Sequence, residues 1–331
     1  MREALLAGLE RKLVLVTGVH GFLGANTAAL AHRLGLSVVG IDLPGSTLLC
    51  RRMLASLACE GVVLDEADLT DPASWLAILR RWRPDVVLHL AGQTARGQDS
   101  AEWPRCLDSN VGTTIALLTA LATSTVNDRP VLIYPGTQME YGLAPMPWGE
   151  ESVCRPHNAY AASKLASTVL VTSGIRTGLL KACVTRFALV FGPAQHPTMF
   201  VPELIVSALR GDNFKMTEGL QERRFVFVEE AAGLMLKVAA RLLGAEPVCP
   251  ILNMPALKPT SMRNLAALIL GVMGHPVSVE LGALPAREGE PLRAWPDDHL
   301  AETIGLTASA ALEESLGKTI AWYRQNAWFY A

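Results

Sequence analysis

LVLVTGVHGFLG, at residues 13–24, decides the fold of this chain. Its first five residues are apolar or β-branched and predict a buried strand, and an amphipathic helical pattern follows over 25–34. Between them Gly18 allows a tight turn, Gly21 lets the backbone approach a pyrophosphate, and Gly24 permits close packing of helix on strand. With Phe22 and Leu23, which lie between the last two glycines, they predict a dinucleotide-binding loop at a helix N-terminus.

An acidic residue follows the loop at the distance that this interpretation requires. Asp42 ends the second predicted strand, 18 residues after Gly24. Its carboxylate is placed to accept hydrogen bonds from the adenosine ribose and would repel a ribose 2′-phosphate. This favours NAD as the cofactor, whereas Arg51 and Arg52 nearby leave NADP as the alternative.

Strands and helices alternate along the first half of the chain. Apolar β-branched runs predict strands at 13–17, 37–41, 62–64, 86–90, 131–134 and 182–189. Helical patterns lie between them at about 25–34, 72–82, 110–124 and 158–173. Strands that are apolar throughout, alternating with helices, predict an α/β fold: a Rossmann-type, doubly wound parallel sheet covered on both faces.

The alternation of strands and helices becomes less regular after Gly192, where a smaller lobe is expected to begin. Residues 1–192 are predicted to form the cofactor-binding domain with the catalytic residues, and residues 193–331 mainly a substrate-binding lobe. Some segments of the lobe are expected to return to the sheet. Ligands of open α/β sheets bind at the carboxyl ends of the strands. The turns after the third and fourth strands are therefore predicted to bind cofactor: Asp68, Leu69, Leu90, Ala91 and Gly92.

Composition excludes several other classes of protein. The net charge is −2, and no block of lysine or arginine suggests a nucleic-acid partner. Six widely spaced cysteines contain no C-x-x-C pair, so no metal site is predicted. The N-terminus does not resemble a signal peptide, and no apolar run approaches the roughly 20 residues of a membrane span. A cytoplasmic protein without a membrane partner is expected.

Tyr160 and Lys164 carry the predicted chemistry. They lie four residues apart on a predicted helix and therefore share a face. A nearby ammonium favours the phenolate and lowers the pKa of a tyrosine from about 10 toward the working range. Such a tyrosine can exchange a proton with a substrate oxygen while hydride moves at the same carbon.

Together these motifs resemble the extended short-chain dehydrogenases, the family of nucleotide-sugar epimerases, dehydratases and reductases. The glycine loop, Leu90-Ala91-Gly92, Asn110-Val111-Gly112-Thr113 and the Tyr/Lys pair carry the resemblance, which runs from about Leu13 to Trp322. It implies a catalytic triad of Thr137, Tyr160 and Lys164. Thr137 would bond the substrate oxygen, Lys164 would also hold the nicotinamide ribose, and Asn110 would support the site.

The residues after Thr137 bear on which reaction is catalysed. Family dehydratases carry an Asp-Glu pair there, where this chain has Gln138 and Met139, so dehydration is disfavoured. Glu140-Tyr141-Gly142 is similar to the 4-ketoreductases and favours reduction of a nucleotide-linked 4-keto-6-deoxyhexose. A nucleotide-sugar 4-epimerase is the alternative. A non-catalytic dinucleotide-binding protein is less favoured, because such proteins lose the Tyr or the Lys.

The resemblance also implies a substrate site and an assembly. Arg223 and Arg287 match positions that pair with a diphosphate, and Gln138 lies beside the triad. Leu189 replaces an asparagine that binds the diphosphate in many members. A homodimer is expected through segments 106–123 and 158–173, with close packing by Ala116, Leu117, Ala120, Ala161, Ala162, Leu165 and Val169.

Overall fold

The computed structural model describes residues 8–94, 100–124, 129–274, 277–286 and 290–331. The strands are β1 (Leu13–Thr17), β2 (Ser37–Asp42), β3 (Val63–Glu66), β4 (Val86–His89), β5 (Val131–Thr137), β6 (Lys181–Phe187), β7 (Leu189–Phe191), β8 (Phe214–Lys215), β9 (Glu222–Arg223), β10 (Phe225–Phe227), β11 (Ile251–Asn253), β12 (Thr260–Ser261), β13 (Val279–Glu280) and β14 (Arg293–Ala294). The α-helices are α1 (Phe22–Arg33), α2 (Thr47–Ser56), α3 (Pro72–Trp82), α4 (Glu102–Cys106), α5 (Thr113–Thr123), α6 (Ala159–Arg176), α7 (Phe200–Arg210), α8 (Val228–Leu243), α9 (Met262–Met273), α10 (His299–Thr303) and α11 (Leu312–Gln325).

Seven parallel strands form the central sheet, in the order β11-β6-β5-β4-β1-β2-β3. Its faces follow from the two-residue period of a strand. Val14 and Val16 of β1 pack into an apolar cluster with α1 and α8. Leu15, between them, packs on the other face with α3, α5 and α6. Because both faces are covered, β1 and β4 in the middle of the sheet are almost fully buried, and the doubly wound fold is confirmed.

The chain beyond residue 192 divides between the sheet and a second body. Helix α8 packs against α1 on the sheet, and β11 extends the sheet by pairing parallel to β6, with Ile251 opposite Val184. Helices α7, α9 and α11 instead surround a separate apolar cluster that includes Phe191, Leu265 and Tyr323. This cluster forms the core of the smaller lobe, whose role in substrate binding stays a prediction.

Several elements differ from the sequence-based expectation, among them β7 and α2. The single strand predicted over 182–189 breaks at Ala188, and β7 leaves the sheet to pair with β10. Helix α2 has no counterpart in the prediction. Its buried residues Cys50, Met53 and Leu54 do follow helical spacing, but Leu48 and Leu49 beside them are exposed and obscure the apolar stripe.

The packing residues chosen for a dimer need correction. Ala116, Leu117 and Ala120 are buried within the chain itself, in the cluster between α5 and the sheet, so they cannot meet a partner. Val169 on α6 and Ile115 on α5 are exposed. The dimer itself stays a prediction. Within the described ranges, no helix has both the length and the apolarity of a membrane span.

The start of α6 generates a stability prediction. Asn158 is the N-cap of α6, and its Oδ1 accepts a hydrogen bond of 2.8 Å from the Ala161 N–H. Asn158→Ala leaves that donor without its partner and should lower the free energy of unfolding by about 1 kcal/mol. Urea denaturation of both proteins measures the difference. Asn158→Asp keeps an acceptor at the cap and is the control; equal losses for the two variants would contradict the capping role.

Candidate active site

The glycine loop is shaped by contacts that exclude side chains. Gly18 has φ +68°, and a Cβ there would lie 2.8 Å from the Ala91 Cα at the end of β4. A Cβ on Gly24 would lie 2.0 Å from the Gly18 carbonyl oxygen. Gly21 is exposed at the N-cap of α1 and offers no side-chain cap. The first N–H groups of α1 at Phe22 and Leu23 are therefore left to an anion, as a pyrophosphate site requires.

Asp42 fixes this loop from the neighbouring strand. Its Oδ2 accepts a 2.7 Å hydrogen bond from the His20 N–H, and its Oδ1 accepts one of 2.9 Å from the Leu43 N–H. Each carboxylate oxygen retains a second lone pair, so the predicted contact with a ribose is compatible with this bracing. Arg52 was one of the two arginines that kept NADP as an alternative cofactor. Its guanidinium lies 3.9 Å from the centre of the Trp328 ring. That cation is already engaged by the C-terminal segment.

The turn after β3 combines an exposed carboxylate with a buried anchor. Asp68 is exposed, and hydrogen bonds from the Thr70 hydroxyl and N–H hold the pKa of its carboxyl below the usual range. The Leu69 side chain is buried, and its carbonyl accepts a 2.9 Å hydrogen bond from Trp75 Nε1. The anchor places Asp68 at the same edge of the sheet as the glycine loop.

The turn after β4 is held by Asn110. Leu90 and Ala91 are half-buried, and Gly92 is exposed. Asn110 lies in a π-helical turn, Leu107–Gly112, a local irregularity that occurs frequently at functional sites. Its amide exchanges hydrogen bonds with the Gln93 backbone at 2.8 and 3.0 Å and donates one of 2.8 Å to Ser163 Oγ. Asn110 thus ties the β4 turn to the helix that carries Tyr160.

The structure brings the predicted triad together. Tyr160 and Lys164 lie one turn apart on α6, and Thr137, the last residue of β5, lies close enough to act on Tyr160. Burial raises the pKa of Tyr160, and this outweighs the Lys164 ammonium and the Thr137 hydroxyl, which both lower it. The expectation of a lowered pKa is therefore wrong for the protein by itself. Burial likewise lowers the pKa of Lys164.

Glu140 lies beneath the triad in a buried ion pair. Its Oε2 is 2.9 Å from Arg186 Nε, and its Oε1 accepts a 2.9 Å hydrogen bond from the Thr137 N–H. Arg186 also donates to Tyr141 Oη, which donates to Asn253 Oδ1 at 2.7 Å. In the sequence, Glu140-Tyr141-Gly142 favours reduction as the reaction. In the structure, the Glu140 and Tyr141 side chains instead support the site from within the core. Arg186 lies in a strand that the sequence predicts to be buried, and a buried charge needs a partner. An ion pair at Arg186 could therefore have been expected from the sequence.

The residues predicted to bind substrate lie in different surroundings. Gln138 is buried beside Thr137, and its Oε1 accepts no hydrogen bond from the described residues. Leu189 is half-buried in the lobe cluster. Arg223 is buried and forms a 2.7 Å ion pair with Glu290. Arg287 lies outside the described residues. Binding of a diphosphate by the two arginines stays a prediction.

His89 lies in the core under the same sheet edge. Its Nδ1 is 3.0 Å from Thr17 Oγ1 and its Nε2 is 3.2 Å from Thr113 Oγ1. Burial, with a smaller effect of the Lys164 charge, lowers its pKa to about 3. The ring is therefore neutral and structural at neutral pH, and does not act as a base.

Comparison with known proteins agrees with this geometry. Residues 14–247 match the sequence profile of the NAD dependent epimerase/dehydratase family. The chain is 25% identical to the dTDP-glucose 4,6-dehydratase of Shigella flexneri, over 95% of this chain and 93% of that one. It is 27% identical to the UDP-glucose 4-epimerase of Mycolicibacterium smegmatis, over 94% and 98%. Among solved structures, the UDP-N-acetylglucosamine 4-epimerase of Methanobrevibacter ruminantium matches with a TM-score of 0.82 and 25% identity, over 96% of this chain and 99% of that one.

The chain belongs to the NAD-dependent epimerase/dehydratase family, and the predicted resemblance to extended short-chain dehydrogenases is confirmed. It is an NAD-dependent enzyme. The glycine loop without a side-chain cap and the bracing Asp42 are consistent with this cofactor.

The buried ion pair generates a second stability prediction. Glu140→Gln leaves the Arg186 charge without its counter-ion in the core, and should lower the free energy of unfolding by about 3–5 kcal/mol. Arg293→Gln removes an exposed ion pair with Glu222 and should cost less than about 1 kcal/mol. Denaturant unfolding of both variants gives the comparison. Similar costs would show that the Glu140–Arg186 pair does not support the core.

His89 generates a prediction about acid stability. Because its folded pKa of about 3 lies below the ordinary 6.5, the unfolded chain binds the extra proton between these values. The contribution of His89 to the free energy of unfolding is therefore complete above pH 6.5. Below pH 6.5 it falls by about 1.4 kcal/mol per pH unit. His89→Gln should flatten the acid limb of the unfolding free energy measured against pH, whereas His157→Gln, at an exposed position, is the control. An unchanged slope for His89→Gln would contradict the prediction.

Proposed function

We propose that this enzyme is a nucleotide-sugar 4-epimerase, which oxidises and re-reduces one carbinol carbon while keeping its NAD bound. The observation that carries the proposal is the proton-transfer chemistry beside the triad. Tyr160 lies beside Thr137 and one turn from Lys164, whereas the neighbouring carboxylate, Glu140, is paired with Arg186. This set of groups serves a single carbon of the substrate, and inversion at that carbon requires no more.

Each member of the triad has a distinct part in the proposed reaction. The Tyr160 oxygen takes the proton of the sugar hydroxyl and later returns one to the carbonyl oxygen. Thr137 donates to the same substrate oxygen and fixes its position, and the Lys164 ammonium stabilises the phenolate. Bound NAD would supply the reversible acceptor for the hydride of the sugar carbon. Inversion then requires the sugar to present its other face between the two transfers.

The two other reactions in this family are less well supported. Elimination of water needs a further acid and base, and Gln138 and Met139 occupy the places after Thr137 where the dehydratases carry them. Net reduction was expected because Glu140-Tyr141-Gly142 is similar to the 4-ketoreductases. The buried hydrogen bonds of Glu140 and Tyr141 explain these residues equally well, without reference to the reaction. The relatives act on nucleotide sugars by name, among them UDP-glucose and dTDP-glucose, which supports the substrate class.

Turnover without added cofactor tests the proposal. An epimerase should purify with bound NAD(H), detectable by its absorbance, and should convert a sugar from a panel of UDP-, dTDP-, GDP- and CDP-hexoses into its 4-epimer. Tyr160→Phe should abolish turnover while NAD stays bound, because the phenyl ring retains the packing and loses the proton carrier. Tyr330→Phe, in the C-terminal segment, is the matched control.

Three outcomes would overturn it. Consumption of added NADH in a one-to-one ratio with a 4-keto sugar, without epimer, would identify a ketoreductase. Binding of NAD without turnover of any sugar would identify a non-catalytic binding protein. Substantial turnover by Tyr160→Phe would remove the tyrosine from the reaction.

A further inference from the structure

Lys164 has a second tyrosine beneath it that the proposed reaction does not use. Tyr134, in β5, is 1% exposed, and its Oη accepts a 2.8 Å hydrogen bond from the Lys164 Nζ. The same Nζ lies 3.9 Å from the centre of the Tyr134 ring. The ammonium therefore contacts both the phenol oxygen and the negative face of the ring.

The hydroxyl of Tyr134 is oriented by the residues behind it. Burial raises the pKa of the Tyr134 phenol, whereas the nearby Ser167 and Thr114 hydroxyls lower it. Both of those hydroxyls donate to the Asn110 carbonyl, at 3.0 and 2.8 Å. Since the protons of both hydroxyls point to the carbonyl, neither is available to donate to the Tyr134 oxygen. The lone pairs of that oxygen are left for the hydrogen bond that Lys164 Nζ donates to it.

A buried ammonium needs such an acceptor. Lys164 is 7% exposed, and its burial favours the neutral amine. The groups that act on it come from each packed element: Tyr160 from α6, Tyr134 from β5, His89 from β4 and Glu140 from the turn after β5. His89 is neutral, and the Glu140 charge is shared with Arg186 from β6. Tyr134 is the neutral acceptor in direct contact with the ammonium.

We propose that Tyr134 is a positioning residue, which holds Lys164 charged and in place and through it controls the ionisation of Tyr160. The proposal rests on the proposed roles of Tyr160 and Lys164 but on no particular sugar. Tyr134→Phe keeps the ring under the ammonium and removes only the oxygen. Without that acceptor Lys164 loses its proton more readily, and a neutral amine no longer favours the phenolate, so the pKa of Tyr160 should rise.

The ionisation of Tyr160 can be followed without substrate. The tyrosinate absorbance of the NAD-loaded protein is titrated, and the same titration of the matching Tyr160→Phe protein is subtracted. Tyr134→Phe should move the Tyr160 titration upward by about one pH unit. The acid limb of the pH profile of kcat should move in the same direction by the same amount. Because the titration needs no sugar, its failure leaves the proposed substrate and reaction untouched.

Tyr141→Phe is the matched control, since Tyr141 is equally buried but bonds Arg186 and Asn253 rather than Lys164. It should leave the Tyr160 titration in place. A second comparison removes the lysine: in a Lys164→Met background, Tyr134→Phe should no longer shift the titration. A full shift in that background, or no shift in the parent, overturns the proposal. If Tyr134→Phe does not fold, Ser167→Ala removes a hydroxyl that acts on the Tyr134 phenol and should give a smaller shift of the same sign; no shift with Ser167→Ala then overturns the proposal.

Discussion

The site depends on one buried ion pair. Moving a carboxylate and a guanidinium out of water costs several kcal/mol for each, and the cost is recovered only when geometry and hydrogen bonds are complete. Here they are: Glu140 uses one oxygen for Arg186 and the other for the backbone of Thr137, and Arg186 reaches Tyr141. The end of β5 is held by this pair, and the position of the Thr137 hydroxyl follows from it.

Charge is distributed unevenly at this edge of the sheet, and that distribution suits the proposed chemistry. Carboxylates are either paired, as Glu140 is with Arg186, or bonded to backbone and hydroxyl groups, as Asp42 and Asp68 are. The phenol of Tyr160 and the ammonium of Lys164 remain as the groups that can exchange a proton with a substrate oxygen. One such pair suits reversible proton transfer at a single carbon, which is what the proposed reaction requires.

The parts of the molecule that the sequence predicts are those set by local spacing. The glycine loop, the Tyr160–Lys164 pair and the bounds of α3 follow from residues within a few turns of each other. What it misses is long-range. Glu140 and Arg186 are 46 positions apart, and Arg223 and Glu290 are 67 apart, so no local pattern links them. Tyr134 is missed for a related reason: in a buried strand a tyrosine looks like packing until the residue above its oxygen is known.

The last strand of the sheet carries a consequence for how the chain is made. β11 pairs with β6, yet it begins at Ile251, after the chain has formed α7, the short strands β8 to β10 and α8. Until that point has been synthesised, β6 is an open edge of the sheet, and the Tyr141 hydroxyl lacks its acceptor, Asn253 Oδ1. A nascent chain that paused after β7 would thus expose the unpaired edge of β6, which could pair with other nascent chains on the same mRNA. Fast passage of the ribosome through the following sixty or so codons, or a chaperone bound during them, would protect the yield of this protein.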